Sequence, residues 1–151
     1  MIAAVATATA LALGGHGAAP ASSAQAGEAV ASISGPQVLL ADHQIAQRWQ
    51  IGPLGGVRAV ELTDPASGRD WAAPAAPEFS LTLDSAPTSS TTGWRLIDAT
   101  AQNIPADPAR PDAGPGVEVV FRYGLAVRAR RLELDRTWSL YPGAAVERVS
   151  E

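Results

Sequence analysis

From about Ser32 onward, apolar and polar residues alternate in short runs, and almost nowhere do they recur at helical spacing. In Gln44–Ile51 the side chains of Ile45, Gln47, Trp49 and Ile51 fall on one side, and those of Ala46, Arg48 and Gln50 on the other. A period of two predicts a half-buried strand. Gly52–Gly56 reads as a turn. Val57–Thr63 alternates again, with Arg58, Val60 and Leu62 against Val57, Ala59 and Glu61. Asp64-Pro65 opens a second turn, and Gly68 can close it with a positive φ. Trp71 is then expected on the returning strand.

Further on, Phe79, Leu81 and Leu83 alternate with Ser80, Thr82 and Asp84. Ser85–Gly93 is polar and predicts a loop. Trp94–Ala101 predicts another strand. The Pro-, Asp- and Gly-rich stretch Gln102–Gly116 predicts a long loop. Val117, Val119, Phe121 and Tyr123 share one face of the next strand. Leu132, Leu134, Arg136, Trp138 and Leu140 share one face of the longest strand, which turns at Pro142-Gly143. About seven to nine strands at roughly 8–12-residue spacing predict an all-β fold, an antiparallel β-sandwich. The chain stops within the returning strand, so the sandwich is expected to be truncated at its C-terminus. That would leave an open edge.

The N-terminus reads differently. Ile2–Leu13 is an apolar run, too short for the roughly 20 residues of a membrane span. Small, uncharged residues follow, and Ala24-Gln25-Ala26 fits an A-x-A cleavage site. Residues 1–26 are therefore expected to be a secretory signal that lacks its basic leading segment. Residues 27–37 are expected to be a flexible linker, and 38–151 the sandwich. The expected destination is secretion.

Composition narrows the chemistry. With no cysteine, no disulfide and no Cys-based metal site can form. A net charge of −4 gives no footprint for nucleic acid. Gly 14 and Pro 12 suit an all-β chain with many turns. Of two histidines, His16 lies in the expected signal. That leaves His43, too few for a His/Cys/Asp metal cluster or an arguable Ser-His-Asp set. No phosphate-binding or dinucleotide motif occurs. The metal and cofactor expectation is therefore none. Glycosidases need two converging carboxylates. Asp64, Asp70, Asp84, Asp98, Glu118, Glu133 and Asp135 are available, but nothing in the sequence makes a pair of them converge, so no catalytic residue is assigned. Four tryptophans offer flat faces for sugar rings. Trp49 and Trp138 are in phase with apolar neighbours and predict core. Trp71 and Trp94 adjoin loops and are the candidate carbohydrate contacts. Arg128, Arg130 and Arg131 predict a solvated face, with a stripe for an acidic polymer as the sharper alternative.

Several ordered segments together, Val38–Trp71, Pro77–Asp84, Gly93–Ala101, Val117–Tyr123 and Leu132–Val149, resemble the N-terminal sandwich of secreted bacterial glycoside hydrolases. The closest likeness is to the α-galactosidase (melibiase-like) families, in the D-P-A-S-G-R-D-W hairpin and the Y-P-G turn. The resemblance implies a supersandwich of the galactose-mutarotase-like type. It also implies a following (β/α)₈ barrel whose two carboxylates perform retaining hydrolysis. The expected partners are that barrel and, through it, carbohydrate, with no nucleic acid and no membrane span. No residue of this chain matches the barrel's catalytic positions, so the chain alone is expected to be inactive. A free-standing carbohydrate-binding or adhesion sandwich is the alternative, and a purely structural exported β-domain the third reading.

Overall fold

The structure, a computed structural model, describes residues 21–72, 76–83, 85–109, 114–127, 130–143 and 148–150. The apolar run Ile2–Leu13, His16, Asp84 and Arg128 lie outside them. Among the described residues the chain is all β, without helix, and its antiparallel sheets form a sandwich.

The first sheet is a six-stranded meander. It contains β1 (Ser22–Ala26), β2 (Ala29–Ser34), β3 (Gln37–Ala41), β4 (Ala46–Ile51), β5 (Val57–Asp64) and β6 (Arg69–Asp70), paired in sequence order. β7 (Ser80–Leu83) and β8 (Ala86–Ser89) make a separate hairpin. The second sheet takes β9 (Arg95–Ile104), β10 (Gly116–Val127), β11 (Arg130–Leu140) and β12 (Arg148–Ser150) in the order β12-β11-β10-β9.

Period-two alternation supplies the core. Ala31, Ile33, Val38, Leu40, Trp49, Ile51 and Val57 face inward from the first sheet. Val117, Val119, Phe121, Tyr123 and Leu140 do so from the second. Trp49 joins the two layers. Its ring meets Phe121 edge-on, at 5.5 Å between centroids and 71°, and Trp138 at 5.2 Å and 62°. These edge-to-face geometries are favourable for aromatic pairs beyond their buried area.

Residues 22–34, which the sequence reads as the end of a secretory signal and the start of a linker, form the β1–β2 hairpin of the first sheet. Ser22 pairs with Ile33 and Ala26 with Ala29, and the turn at Gly27 takes φ 58°. Ala24, Ala26, Ala29 and Ala31 are buried. The Ser22 hydroxyl accepts the Ala101 amide at 3.2 Å, tying β1 to β9. The alternation that fits A-x-A is thus also the inward face of a strand.

Two other local differences have backbone causes. A β-bulge in β5 leaves Val60 without a partner, because Arg48 pairs with Glu61 and Trp49 with Ala59. Val60 keeps the outward side that alternation gave it with Arg58, and Glu61, which alternation set with Val57, reaches Arg48 at 2.8 Å. Such an extra residue resets the alternation. Within the segment read as a polar loop, Ala86–Ser89 forms β8, because its backbone pairs with β7.

Candidate functional site

Glu78 holds the most developed polar cluster in the described fold. It sits just before β7, bridged to the first sheet through Pro77 and Arg58. Its amide donates to Ser90 Oγ at 2.7 Å, and the Ser90 hydroxyl in turn donates to the Val57 carbonyl. This fixes the backbone so that the side chain points between the sheets, where its surface is wholly covered. There Oε1 accepts from the Trp138 indole N–H at 2.8 Å, and Oε2 accepts from the Tyr123 hydroxyl at 3.1 Å. Arg136 Nε lies 3.1 Å from Oε1, with its side chain only 12% exposed. The Arg136 guanidinium also lies over Phe79 at 5.5 Å and over Trp138 at 5.8 Å, within cation–π reach.

The electrostatics follow from burial. Burial pushes the Tyr123 phenol far above its ordinary value, and the neighbouring Glu78 charge pushes it further. Arg136 occupies the inward face that alternation gave it. Its charge is tolerated there because Glu78 meets it. Glu78 itself was missed by the sequence reading, since it follows a Pro/Ala-rich connection that looks like surface. The one available signal was Arg136, a cation in phase with Leu134, Trp138 and Leu140, which required an anion opposite. With both carboxylate oxygens engaged, the cluster locks the β7–β8 hairpin onto β10 and β11.

Among the described residues, the carboxylates weighed from the sequence do not converge. Asp64 accepts from the Ala66 and Ser67 amides and the Ser67 hydroxyl, which hold its carboxyl below the usual range. Asp70 accepts from the Leu62 and Ala72 amides. Glu118 accepts from Gln102 at 2.6 Å. Glu133 lies 3.5 Å from Arg131. Asp135 takes a two-pronged contact from Arg122 at 2.9 and 3.0 Å, which lowers its pKa. Asp98 stands opposite Arg122 in the β9–β10 register. These carboxylates thus lie along turns or outer sheet faces, and all but Asp98 are engaged there by a local donor or cation.

The two candidate sugar-facing tryptophans separate. Trp71, just past β6, is 49% exposed, with Arg69 over its ring at 5.8 Å. Trp94 is 3% exposed, donates to Thr88 Oγ1 at 3.1 Å and packs edge-on against Phe79. A ring so covered presents no face to a ligand. Of the arginine run, Arg130 and Arg131 are exposed on β11.

His43 is less isolated than its rarity implied. The fold brings it beside Glu28, with Nδ1 2.8 Å from Glu28 Oε1, and both groups about half exposed. Asp42 is its neighbour in sequence. One ligand atom from each of Glu28, Asp42 and His43 lies within 4.8 Å of the other two. Glu28 falls within the segment that the sequence predicts to be a linker, and nothing in its spacing brings it to His43.

Among the described residues no helix is long and apolar enough to cross a membrane. Set against known proteins, the chain matches no family model, no curated protein and no solved structure.

Proposed function

We propose that this sandwich is the non-catalytic N-terminal domain of an exported glycoside hydrolase, one resembling the α-galactosidase-like retaining enzymes. The observation that carries the non-catalytic half is the Glu78 cluster. A general acid or nucleophile must face substrate with a partner carboxylate across a cleft. Glu78 instead is covered and accepts hydrogen bonds from Trp138 and Tyr123. The glycosidase half rests on the resemblance in the Asp64–Trp71 hairpin and the Tyr141-Pro142-Gly143 turn. Both segments are turns here, with positive φ at Gly68 and Gly143. In this reading the sandwich packs against a barrel encoded downstream, and the barrel supplies the chemistry.

Reading the gene beyond codon 151 tests the proposal. An in-frame barrel with paired acidic residues is expected, and a stop codon with no barrel would sink the reading. The purified chain should not turn over an aryl α-galactoside.

A second reading, a carbohydrate-binding sandwich, is favoured by Trp71 alone, an exposed ring with a guanidinium over it. Glycan-array binding that disappears in Trp71→Ala would select it, and a blank array would dismiss it.

A further inference from the structure

Asp42 poses a problem that its neighbours can solve. The residue is 8% exposed. Its Oδ1 accepts from the Gln44 and Ile45 amides at 2.7 and 2.9 Å, an Asx turn that fixes the carboxylate. Its Oδ2 is buried and receives no hydrogen bond among the described residues. An ionised oxygen without a donor is unfavourable in the interior, and a bound ion is a recognised remedy. With Oδ1 occupied, Oδ2 is the oxygen left to serve the cluster with Glu28 and His43.

We propose that Glu28, Asp42 and His43 form a binding site for a divalent transition-metal ion, with Zn²⁺ the best chemical match. Two carboxylates and an imidazole suit a borderline metal that keeps water in its remaining position. Ca²⁺ and Mg²⁺ favour shells of oxygen alone. The spacing describes a site that closes on its ion. A tetrahedral shell with bonds of about 2.0–2.2 Å sets its ligands roughly 3.4 Å apart, nearer than the 4.8 Å limit here. Asp42 is fixed, whereas Glu28 and His43 are half exposed and can move inward.

Coordination through Nδ1 breaks the His43–Glu28 contact and leaves the imidazole proton on Nε2. That proton faces the Gln44 side-chain amide, now 3.2 Å away, which would turn its oxygen toward the ring as an acceptor. The ion would then tie the β1–β2 turn to the β3–β4 loop. This inference does not depend on the glycosidase reading.

The test uses the full, tag-free chain stripped with EDTA and titrated with Zn²⁺ by calorimetry and thermal melting. One saturable ion per chain and a raised Tm are expected. His43 ring-proton resonances should move on addition of Zn²⁺. Asp42→Asn retains an oxygen for the Asx turn, and Glu28→Gln and His43→Gln change exposed groups, so all three variants should fold. Each should weaken binding by about tenfold or more, since even residues behind the ligands have effects of that size. Glu118→Gln should bind like the parent chain. No binding, equal binding in Asp42→Asn or His43→Gln, or tighter binding of Ca²⁺ than of Zn²⁺ would each overturn the assignment.

Discussion

The Trp138 indole N–H donates to Glu78 Oε1 at 2.8 Å, joining the inner face of β11 to the segment that leads into β7. Arg136 Nε approaches the same oxygen, and its side chain is largely covered. Removing the negative charge therefore takes away the carboxylate that this nearly buried cation faces. Glu78→Gln keeps the shape and an acceptor for Trp138, but should still lose about 3–5 kcal/mol, the usual result of breaking a buried pair from one side. Adding Arg136→Met to that variant should recover part of the loss. Chemical denaturation of the single and double variants measures both. Additive losses would show that the pair does not act as a unit.

The same cluster sets an alkaline limit. In the unfolded chain the Tyr123 phenol ionises near its ordinary value of about 10. In the fold its pKa is raised, by burial first and then by the charge of Glu78. The unfolded state therefore binds fewer protons above that pH. The stability contributed by Tyr123 is complete below about pH 10 and falls as pH rises, by about 1.4 kcal/mol per unit, until the folded pKa is reached. Tyr123→Phe should be less stable at neutral pH, because a hydrogen bond to Glu78 is lost, yet show a shallower decline above pH 10. Urea melts between pH 8 and 11 resolve the slopes, and equal slopes would refute the assignment.

Tyr123 also shows where sequence reasoning works. Tyr123 was placed inward because it follows Val117, Val119 and Phe121 at period two, and it is buried. Alternation likewise placed Trp49 and Arg136 correctly. It failed where composition concealed the pattern. Ala24, Ala26, Ala29 and Ala31 alternate as well, but alanine has weak strand preference and also suits a cleavage site. Ala86–Ser89 carries a proline and no large apolar residue, and owes its strand to pairing with β7. Glu78 and Glu28 could not be located from spacing, because their partners lie 58 and 15 positions away at Arg136 and His43.

Gly116 gives a steric prediction. A Cβ there would lie 2.7 Å from the Leu140 carbonyl oxygen and 2.8 Å from Tyr141 Cδ1. The carbonyl belongs to the β10–β11 ladder, in which Val117 pairs with Leu140, so it cannot easily yield. Gly116→Ala should destabilise the chain by about 1–3 kcal/mol, as overpacking does. The same change at Gly35 meets no atom within 4 Å but does face positive φ, so its cost should be backbone strain alone. Comparing the two separates crowding from strain.

Trp71 and Trp94 should respond in opposite ways. Trp94→Ala empties a buried site beside Phe79 and leaves the Thr88 hydroxyl without its donor, and should cost about 3–5 kcal/mol. Trp71→Ala removes an exposed ring, and should stay within about 0.5 kcal/mol of the parent. Any loss of glycan binding in Trp71→Ala would then be readable as lost contact. If Trp71→Ala melts as low as Trp94→Ala, the exposed ring has a packing role instead.

The β1–β2 hairpin makes the N-terminal boundary testable. Cleavage after Ala26 would separate β1 from β2 at the Gly27 turn. It would expose the β2 edge and remove the cover that Ala24 and Ala26 give the core. It would also delete the Ser22 contact to the Ala101 amide. Unpaired strand edges are sites of aggregation. A chain beginning at Ser22 should therefore melt cooperatively, whereas one beginning at Gly27 should melt at lower temperature and self-associate. Thermal melts and light scattering on the two chains decide this. Indistinguishable behaviour would return residues 22–26 to the role of a dispensable leader.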